Sequence, residues 1–443
     1  MKFRWLAAAV AVALGVSLTA TTAVAQSSSG DKPTATDVGI TATEIHVAAI
    51  ADVDNAIAPN LFKASVDAVN GWAKYVNANG GLAGRKVVVD FYDSKLNPTE
   101  TRNSEIKACE NDVAAVGTSA VFLTSVDDMR NCKDKDGAVT GLPDIPFVST
   151  AIVQQCSDQS FPIAPPQIIC STKDQHPQTY QADVARGRYY NKKYGQNKLH
   201  GVYIYGSDSK SAHDSQVASL GALTTIGIKS DANFDTGGRD PQSAYTPIVQ
   251  AIKSNSSNFA ACGGAFTCTV NLRKEATLQG ISGVDVWDCG VSCYDKQFIE
   301  AGGSDVEGNY VDTLFLPFYN KADVKANKEL AAFVKYTGSN AASFGAYAWA
   351  AGEAFAQAVN AQVKAGGNNS VTRKTIFEQL NKINKFDANG MMAPIDLAGR
   401  KVSNCSVTMQ VKNGNFVRVE PTKPGTFNCP SNGTVTQQLD LIK

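Results

Sequence analysis

The chain has 443 residues, of which 43% are hydrophobic and 19% charged, and its 41 Lys plus Arg balance 41 Asp plus Glu. A balanced chain with no basic run gives no sign of a polyanion-binding surface, so nucleic acid is not an expected partner. Its length exceeds one ordinary hydrophobic core and calls for two.

Residues 1–25 place Lys2 and Arg4 ahead of an apolar run from Trp5 to Val16 and end in Ala23-Val24-Ala25. This three-part pattern predicts a secretory signal peptide cleaved before Gln26, hence an exported protein. Gly15, Ser17 and Thr19 break the run, which is too short to span a membrane. No cysteine stands near the cleavage point, so no lipid anchor is expected, and 26–38 reads as a polar, disordered leader. Loss of Lys2 and Arg4 leaves a net charge of about −2.

From Gly39 to Glu100 the pattern is strand, loop, helix, strand, helix. Glu44 to Ile50 is an apolar strand, and Asp52-Val53-Asp54-Asn55-Ala56 after it is a loop of residues that bond their own backbone. Phe62, Val66, Val69, Ala73 and Val76 line one stripe of a helix that Asn79-Gly80-Gly81 ends. Lys86 to Tyr92 is a strand buried on both faces, and Asn97, Pro98 and Glu100 read as N-cap, N1 and N3 of the next helix. Strands follow at Val113–Gly117 and Pro146–Val148, and Pro162, Pro165 and Pro166 then interrupt regular structure, which suits a crossover between lobes.

A second series has strands at Gly201–Tyr205, Phe259–Cys262, Val284–Trp287 and Tyr310–Leu314, with helices near 241–254, 271–280 and 294–302. Helices near 325–337, 341–365 and 371–383 are expected to return to the first lobe. Val407, Met409 and Val411 alternate up to Asn413-Gly414, a strong hairpin signal, with Phe416, Val417 and Val419 beyond it. Alternating strands and helices predict an α/β fold of two doubly wound parallel-sheet lobes joined by a crossover hinge. The expected division is 39–163 plus about 319–395 for lobe 1, 164–318 plus about 396–430 for lobe 2, and a tail at 431–443.

Ten cysteines in an exported chain point to disulfides. Spacing alone does not fix connectivity, but sequence neighbours suggest Cys109 with Cys132, Cys156 with Cys170, Cys262 with Cys268, Cys289 with Cys293, and Cys405 with Cys429. Cys262, Cys268, Cys289 and Cys293 also satisfy the count for a four-thiolate zinc site, although their spacing is not the usual one and export favours oxidation. No metal or other cofactor is expected.

In open α/β sheets the carboxyl ends of strands form a ligand crevice, and two facing crevices make a clamp. In the first lobe this rule selects Asp54, Asn55 and Ala56, then Thr118, Ser119 and Ala120, then Ser149, Thr150 and Ala151. In the second it selects Tyr205, Ser207 and Asp208, then Gly264, Ala265 and Phe266, then Asp288 and Gly290. For each Ser or Thr, ordinary helix capping competes with ligand contact.

The segments Gly39 to Ile45, Asn77 to Arg85, Asp93 to Pro98, Ala346 to Ala354 and Val411 to Val417 resemble the branched-chain amino-acid-binding (Leu/Ile/Val-binding) family, in order and spacing, over about 39–420. These are extracytoplasmic solute receptors of ABC importers, so the resemblance implies a type I periplasmic-binding-protein fold, a small-molecule solute, ABC permease subunits as partners, and a monomer. It implies that the Thr118 and Ser149 loops hold a substrate carboxylate, a role suited to charge-assisted hydrogen bonds. It also implies a Cys109–Cys132 bridge and a ligand-covering aromatic at Phe266. Two departures stand out: Cys289-Gly290-Val291 replaces the carboxylate that pairs an α-ammonium, and Lys210 falls where the family carries a tyrosine. Unless Asp288 or Asp208 pairs the ammonium, a carboxylate-bearing or aromatic molecule without the amine fits better.

The expected mechanism is hinge closure around the solute. An enzyme is not expected: four histidines, with His213 near Asp208 and Asp214, match no hydrolase motif. A ligand-sensing receptor signalling to a membrane partner is the alternative, and a secreted hydrolase ranks below it.

Overall fold

The computed structural model describes residues 32–56, 58–164 and 167–442; the expected signal peptide lies outside the described residues. Strands β1 (Glu44–Ala51), β2 (Lys86–Asp93), β3 (Ala114–Val116) and β4 (Asp144–Ile145) form a parallel sheet in the order β2-β1-β3-β4. Non-sequential neighbours with helical crossovers are what a parallel sheet requires. After β5 (Gln178–Asp183) come β6 (His200–Gly206), β7 (Lys229–Thr236), β8 (Phe259–Cys262), β9 (Val286–Cys289) and β10 (Tyr310–Thr313). With the hairpin β11 (Val407–Lys412) and β12 (Asn415–Glu420), strands β6 to β10 build a seven-stranded sheet, β12-β11-β10-β9-β8-β6-β7. The hairpin adds antiparallel pairing to an otherwise parallel sheet, and Asn413 and Gly414 turn it at φ 51° and 66°, as an Asn-Gly turn of the primed type demands.

In the first lobe the Lys63–Ala78 helix buries Val69, Trp72, Ala73 and Val76, members of the expected stripe plus Trp72. It packs on the Ser343–Gly366 helix, which reaches it through small residues. A Cβ on Gly352 would fall 2.3 Å from Trp72 Cδ2, and one on Gly345 2.9 Å from the Ala64 carbonyl oxygen. Asn97 caps the Pro98–Asn111 helix by accepting from Thr99 N and Glu100 N, as read from the sequence. Helices Lys328–Thr337 and Arg373–Leu380 pack on this same group.

The two sheets are connected by chain segments that pair with each other. Leu316 N donates to the Met391 carbonyl (2.9 Å) and Ala393 N to that of Leu314 (2.7 Å). Aromatic rings run through this hinge: Phe147 stacks on Tyr347 at 5.3 Å, Phe315 meets Tyr347 edge-on at 5.2 Å, and Tyr294 lies 5.8 Å from Phe315.

Several expectations change. β4 ends before Pro146, which has no N–H to donate, so Pro146–Val148 is not a strand. The strand expected at Val284–Trp287 is shifted to Val286–Cys289 by its register with β8, where Phe259 faces Val286. Strands β5, β7 and β13 (Thr434–Leu439) carry too many polar residues to read as strands. The tail expected at 431–443 instead contributes β13, antiparallel to β5. The leader is held from Lys32 onward: Arg85 donates to the Thr34 carbonyl (2.9 Å), and Asp37 accepts from Arg373 N (2.8 Å).

All ten cysteines are paired as suggested by sequence neighbourhood. The four-thiolate zinc alternative is therefore overturned, since Cys262–Cys268 and Cys289–Cys293 consume its ligands.

Candidate ligand-binding cleft

The carboxyl ends of the two sheets face each other. The Arg239 guanidinium, in the loop after β7, donates to the Ala56 carbonyl in the loop after β1. Thr150, after β4, lies 3.2 Å by its hydroxyl from that of Ser211, in the first turn of the Lys210–Gly221 helix after β6. These contacts span the gap, and the loops around them form its walls.

The first-lobe wall is built on carboxylates, two of them fully buried. Asp52, fully buried at the end of β1, accepts from Ser94 Oγ (2.6 Å), Leu96 N (2.7 Å) and Val121 N (2.8 Å), tying together the loops after β1, β2 and β3. Asp93 accepts from Val53 N (3.1 Å), Asp54 N (2.9 Å) and Lys95 N (2.9 Å). The two acids hold Lys95 and Leu96 at φ 51° and 53°, a left-handed pair that non-glycine residues adopt only when neighbours impose it. Asp144, in β4, accepts from Thr118 Oγ1 (2.6 Å) and Gln154 Nε2 (2.8 Å), and burial pushes its carboxyl up to about 6.

These bonds decide what the candidate residues can do. Thr118, Ser119 and Ala120 are fully buried beneath the surface; the Thr118 hydroxyl is spent on Asp144, and that of Ser119 donates to the Gly117 carbonyl (3.0 Å). Asn55 shapes its own turn through Ala58 N (2.6 Å) and the Ala58 carbonyl (3.0 Å). Asp54 and Ala56 are exposed, and Ser149 and Thr150 are half-buried at the cleft edge. Ser149 Oγ is itself buried and has no partner among the described residues.

The second-lobe wall is built on disulfides. Cys262–Cys268 closes the loop Gly263-Gly264-Ala265-Phe266-Thr267, and Cys289–Cys293 closes Gly290-Val291-Ser292. Ser292 Oγ donates to the Gly264 carbonyl (3.0 Å), joining the two rings. Phe266 opens the Phe266–Leu278 helix, half-buried, with its ring 6.5 Å from Phe298. Asp208 is exposed and accepts from Gly238 N (2.8 Å). Tyr205 is buried within β6, its hydroxyl 3.5 Å from Asn233 Oδ1. Asp288 is not at the cleft: it lies inside β9, where Tyr190 donates to it at 2.7 Å and Arg186 at 3.2 Å. Arg186 also pairs Asp312 at 3.4 Å, so the Asp288 charge is compensated from within the sheet.

Sequence reasoning missed Asp52, Asp144, Arg239 and Ser211. An acid standing at a strand's carboxyl end was the available signal for Asp52; Asp144 opens β4 instead, and for it, Arg239 and Ser211 nothing local marks a cleft position. His213 pairs with Asp235 (3.1 Å) and Asp214 (3.4 Å) and stands edge-on to Tyr205. Among the described residues no His, Cys, Asp and Glu cluster is arranged to hold a metal, and no helix is long and apolar enough to cross a membrane.

A family model described as periplasmic binding protein matches residues 44–415. The chain belongs to that family. The structures it resembles carry the same type I periplasmic-binding-protein fold. The leucine-binding protein LivK from Thermotoga maritima is 18% identical, with a TM-score of 0.62, covering 87% of this chain and 99% of its own. LivJ from Streptococcus pneumoniae, a branched-chain amino-acid transporter substrate-binding protein in complex with isoleucine, is 15% identical at TM-score 0.64, covering 86% and 100%. A fatty-acid ABC transporter substrate-binding protein from Thermomonospora curvata is 14% identical at TM-score 0.63, covering 90% and 97%. No curated protein matches. At these identities the likeness defines the fold of this periplasmic binding protein, and its site has to be read from its own residues.

Proposed function

We propose that the protein is the extracytoplasmic solute-binding receptor of an ABC importer, exported by the signal peptide at 1–25, and not an enzyme. It captures a small carboxylate-bearing molecule between lobes by hinge closure and presents the closed form to membrane permease subunits. The observation that carries this reading is the pair of contacts across the gap, Ala56 with Arg239 and Thr150 with Ser211, between lobes that are joined through the paired segments at 314–316 and 391–393. Such contacts form on closure and break on opening, and a solute favours closure by touching both lobes.

The ligand contacts proposed are Asp54, Asn55 and Ala56 with Ser149 and Thr150 in lobe 1, and Asp208 and Phe266 in lobe 2. The related structures, ABC transporter substrate-binding proteins for branched-chain amino acids and for a fatty acid, support the transport role. The lobe division keeps the boundaries expected from sequence, with β13 added to lobe 2.

The test is a thermal-shift screen of the exported form against amino acids, aromatic acids, amides and short-chain acids, followed by X-ray scattering with each hit. A ligand at a hundredfold excess over its Kd stabilises by about 2.7 kcal/mol. The expected result is a hit that also lowers the radius of gyration; hits that never compact the molecule would remove the hinge-closure reading.

A further inference from the structure

A pocket of about 400 Å³ opens beside the cleft and shares its Thr150 and Val121 rim. Its apolar wall comes from three separate parts of the chain: Val121, Leu123 and Ile152 of the first lobe, Tyr180 of β5, and Leu441 and Ile442 beyond β13. The wall is built rather than incidental. Leu441 N and Ile442 N both donate to Gln178 Oε1 (3.2 and 3.5 Å), and the Cys156–Cys170 disulfide ties Ile152's short helix to the crossover. Ile168, Tyr180 and Ala218 form a small core against which Ile152, Leu441 and Ile442 pack. A pocket of this size lies within the range used for small ligands, roughly 300–1,000 Å³.

The polar groups around it constrain what enters. Lys210 is committed to Asp214 (2.5 Å) and to the Leu441 carbonyl (2.9 Å), so this pair offers no net charge. Thr150 and Ser211 face each other as neutral hydroxyls, with the unpartnered Ser149 hydroxyl next in sequence. Asp214 is the acidic residue among the described residues that line the pocket, and it is paired with Lys210. An ammonium group carried into this pocket would be desolvated with no free carboxylate to pair it, which disfavours its entry.

We propose that the solute is an amphiphile without an ammonium group, whose apolar alkyl or aryl body fills this pocket while a single hydrogen-bonding head, such as a carboxylate, sits at Thr150 and Ser211. This rests on the receptor reading above and names its substrate class. The pocket is lined by both lobes, so the body of the ligand bridges them and contributes to closure as well as to affinity.

The test is titration calorimetry with straight-chain carboxylates from butanoate to decanoate, and with the matched pairs leucine and 4-methylpentanoate, phenylalanine and 3-phenylpropanoate. Affinity is expected to rise roughly fourfold per methylene until the pocket is full, and each deaminated acid to bind at least tenfold tighter than its amino acid. Thr124→Trp, at the exposed rim, is expected to flatten the length series, and Ile152→Ala to shift its optimum to longer chains; a melting midpoint for each variant verifies folding. Tighter binding of the amino acids, no dependence on length, no change in either folded variant, or binding of none of these probes overturns the proposal. Compaction by amino acids alone, seen in scattering, would retain the receptor and remove the pocket assignment. A length series that binds without compaction would retain the pocket and remove hinge closure.

Discussion

The two walls of the cleft meet the same need with different chemistry. Lobe 1 holds its loops by hydrogen bonds to the buried carboxylates Asp52 and Asp144 and the half-buried Asp93, whereas lobe 2 closes its loops covalently, with Cys262–Cys268 and Cys289–Cys293. Carboxylate anchors act only in the folded state, and the buried Asp144 answers to pH. Disulfides act largely by restricting the unfolded chain and answer to reductant. A binding surface can thus be pre-organised on either side of a hinge without placing its anchoring groups in the ligand's path.

Asp52→Ala tests the lobe-1 half most severely. It strands the Ser94 hydroxyl and the Leu96 and Val121 N–H groups, and is expected to cost about 3 kcal/mol in urea unfolding. A loss below about 1 kcal/mol would mean that water replaces the carboxylate and that this wall is not anchored as described. For lobe 2, replacing both Cys289 and Cys293 with serine releases a short ring and is expected to cost about 2 kcal/mol, against about 3 for the longer Cys109–Cys132 loop. If the contrast holds, ligand affinity falls in the Cys289/Cys293 variant beyond what its stability loss explains.

Thr118→Ala comes next, at about 1–2 kcal/mol. The expected effect is on stability and leaves ligand affinity in place, because this hydroxyl bonds Asp144 and is buried. Its sign can be checked by pH. Burial raises Asp144 to about 6, so the native state holds its proton more tightly than the unfolded chain; stability is greatest below the unfolded value near 4 and falls as pH rises through 6. Losing the Thr118 bond to the charged form moves the end of that fall to higher pH. The smallest effect expected is for Glu105→Gln. Burial and then Asp144 hold Glu105 up to about 9, so its ionisation destabilises the fold between about pH 4 and 9, and the variant is expected to melt a few degrees higher at pH 9 with little change at pH 4. An unchanged melting profile would show that Glu105 is hydrated.

By itself the sequence determined the strand–helix alternation, the Asn97 cap and the Asn413-Gly414 hairpin, and it suggested the two lobes and the neighbour pairing of the cysteines. These are local: apolar runs, periodicity and turn chemistry act over a few residues. It also pointed to loops at strand carboxyl ends, where crevices form in any open α/β sheet, but not to the loop after β7 that carries Arg239. What only the tertiary structure decided was which side chains on those loops are free. Thr118 looks like a ligand hydroxyl until Asp144, 26 residues away, accepts its hydrogen bond. Asp288 looks like a binding acid until the β8 register carries it into the sheet beside Arg186, 102 residues earlier. β5 and β13 are invisible separately, since neither has an apolar run and each is stabilised by the other across the length of the second lobe. Buried polar groups choose partners by distance in space, and no pattern read along the chain contains that distance.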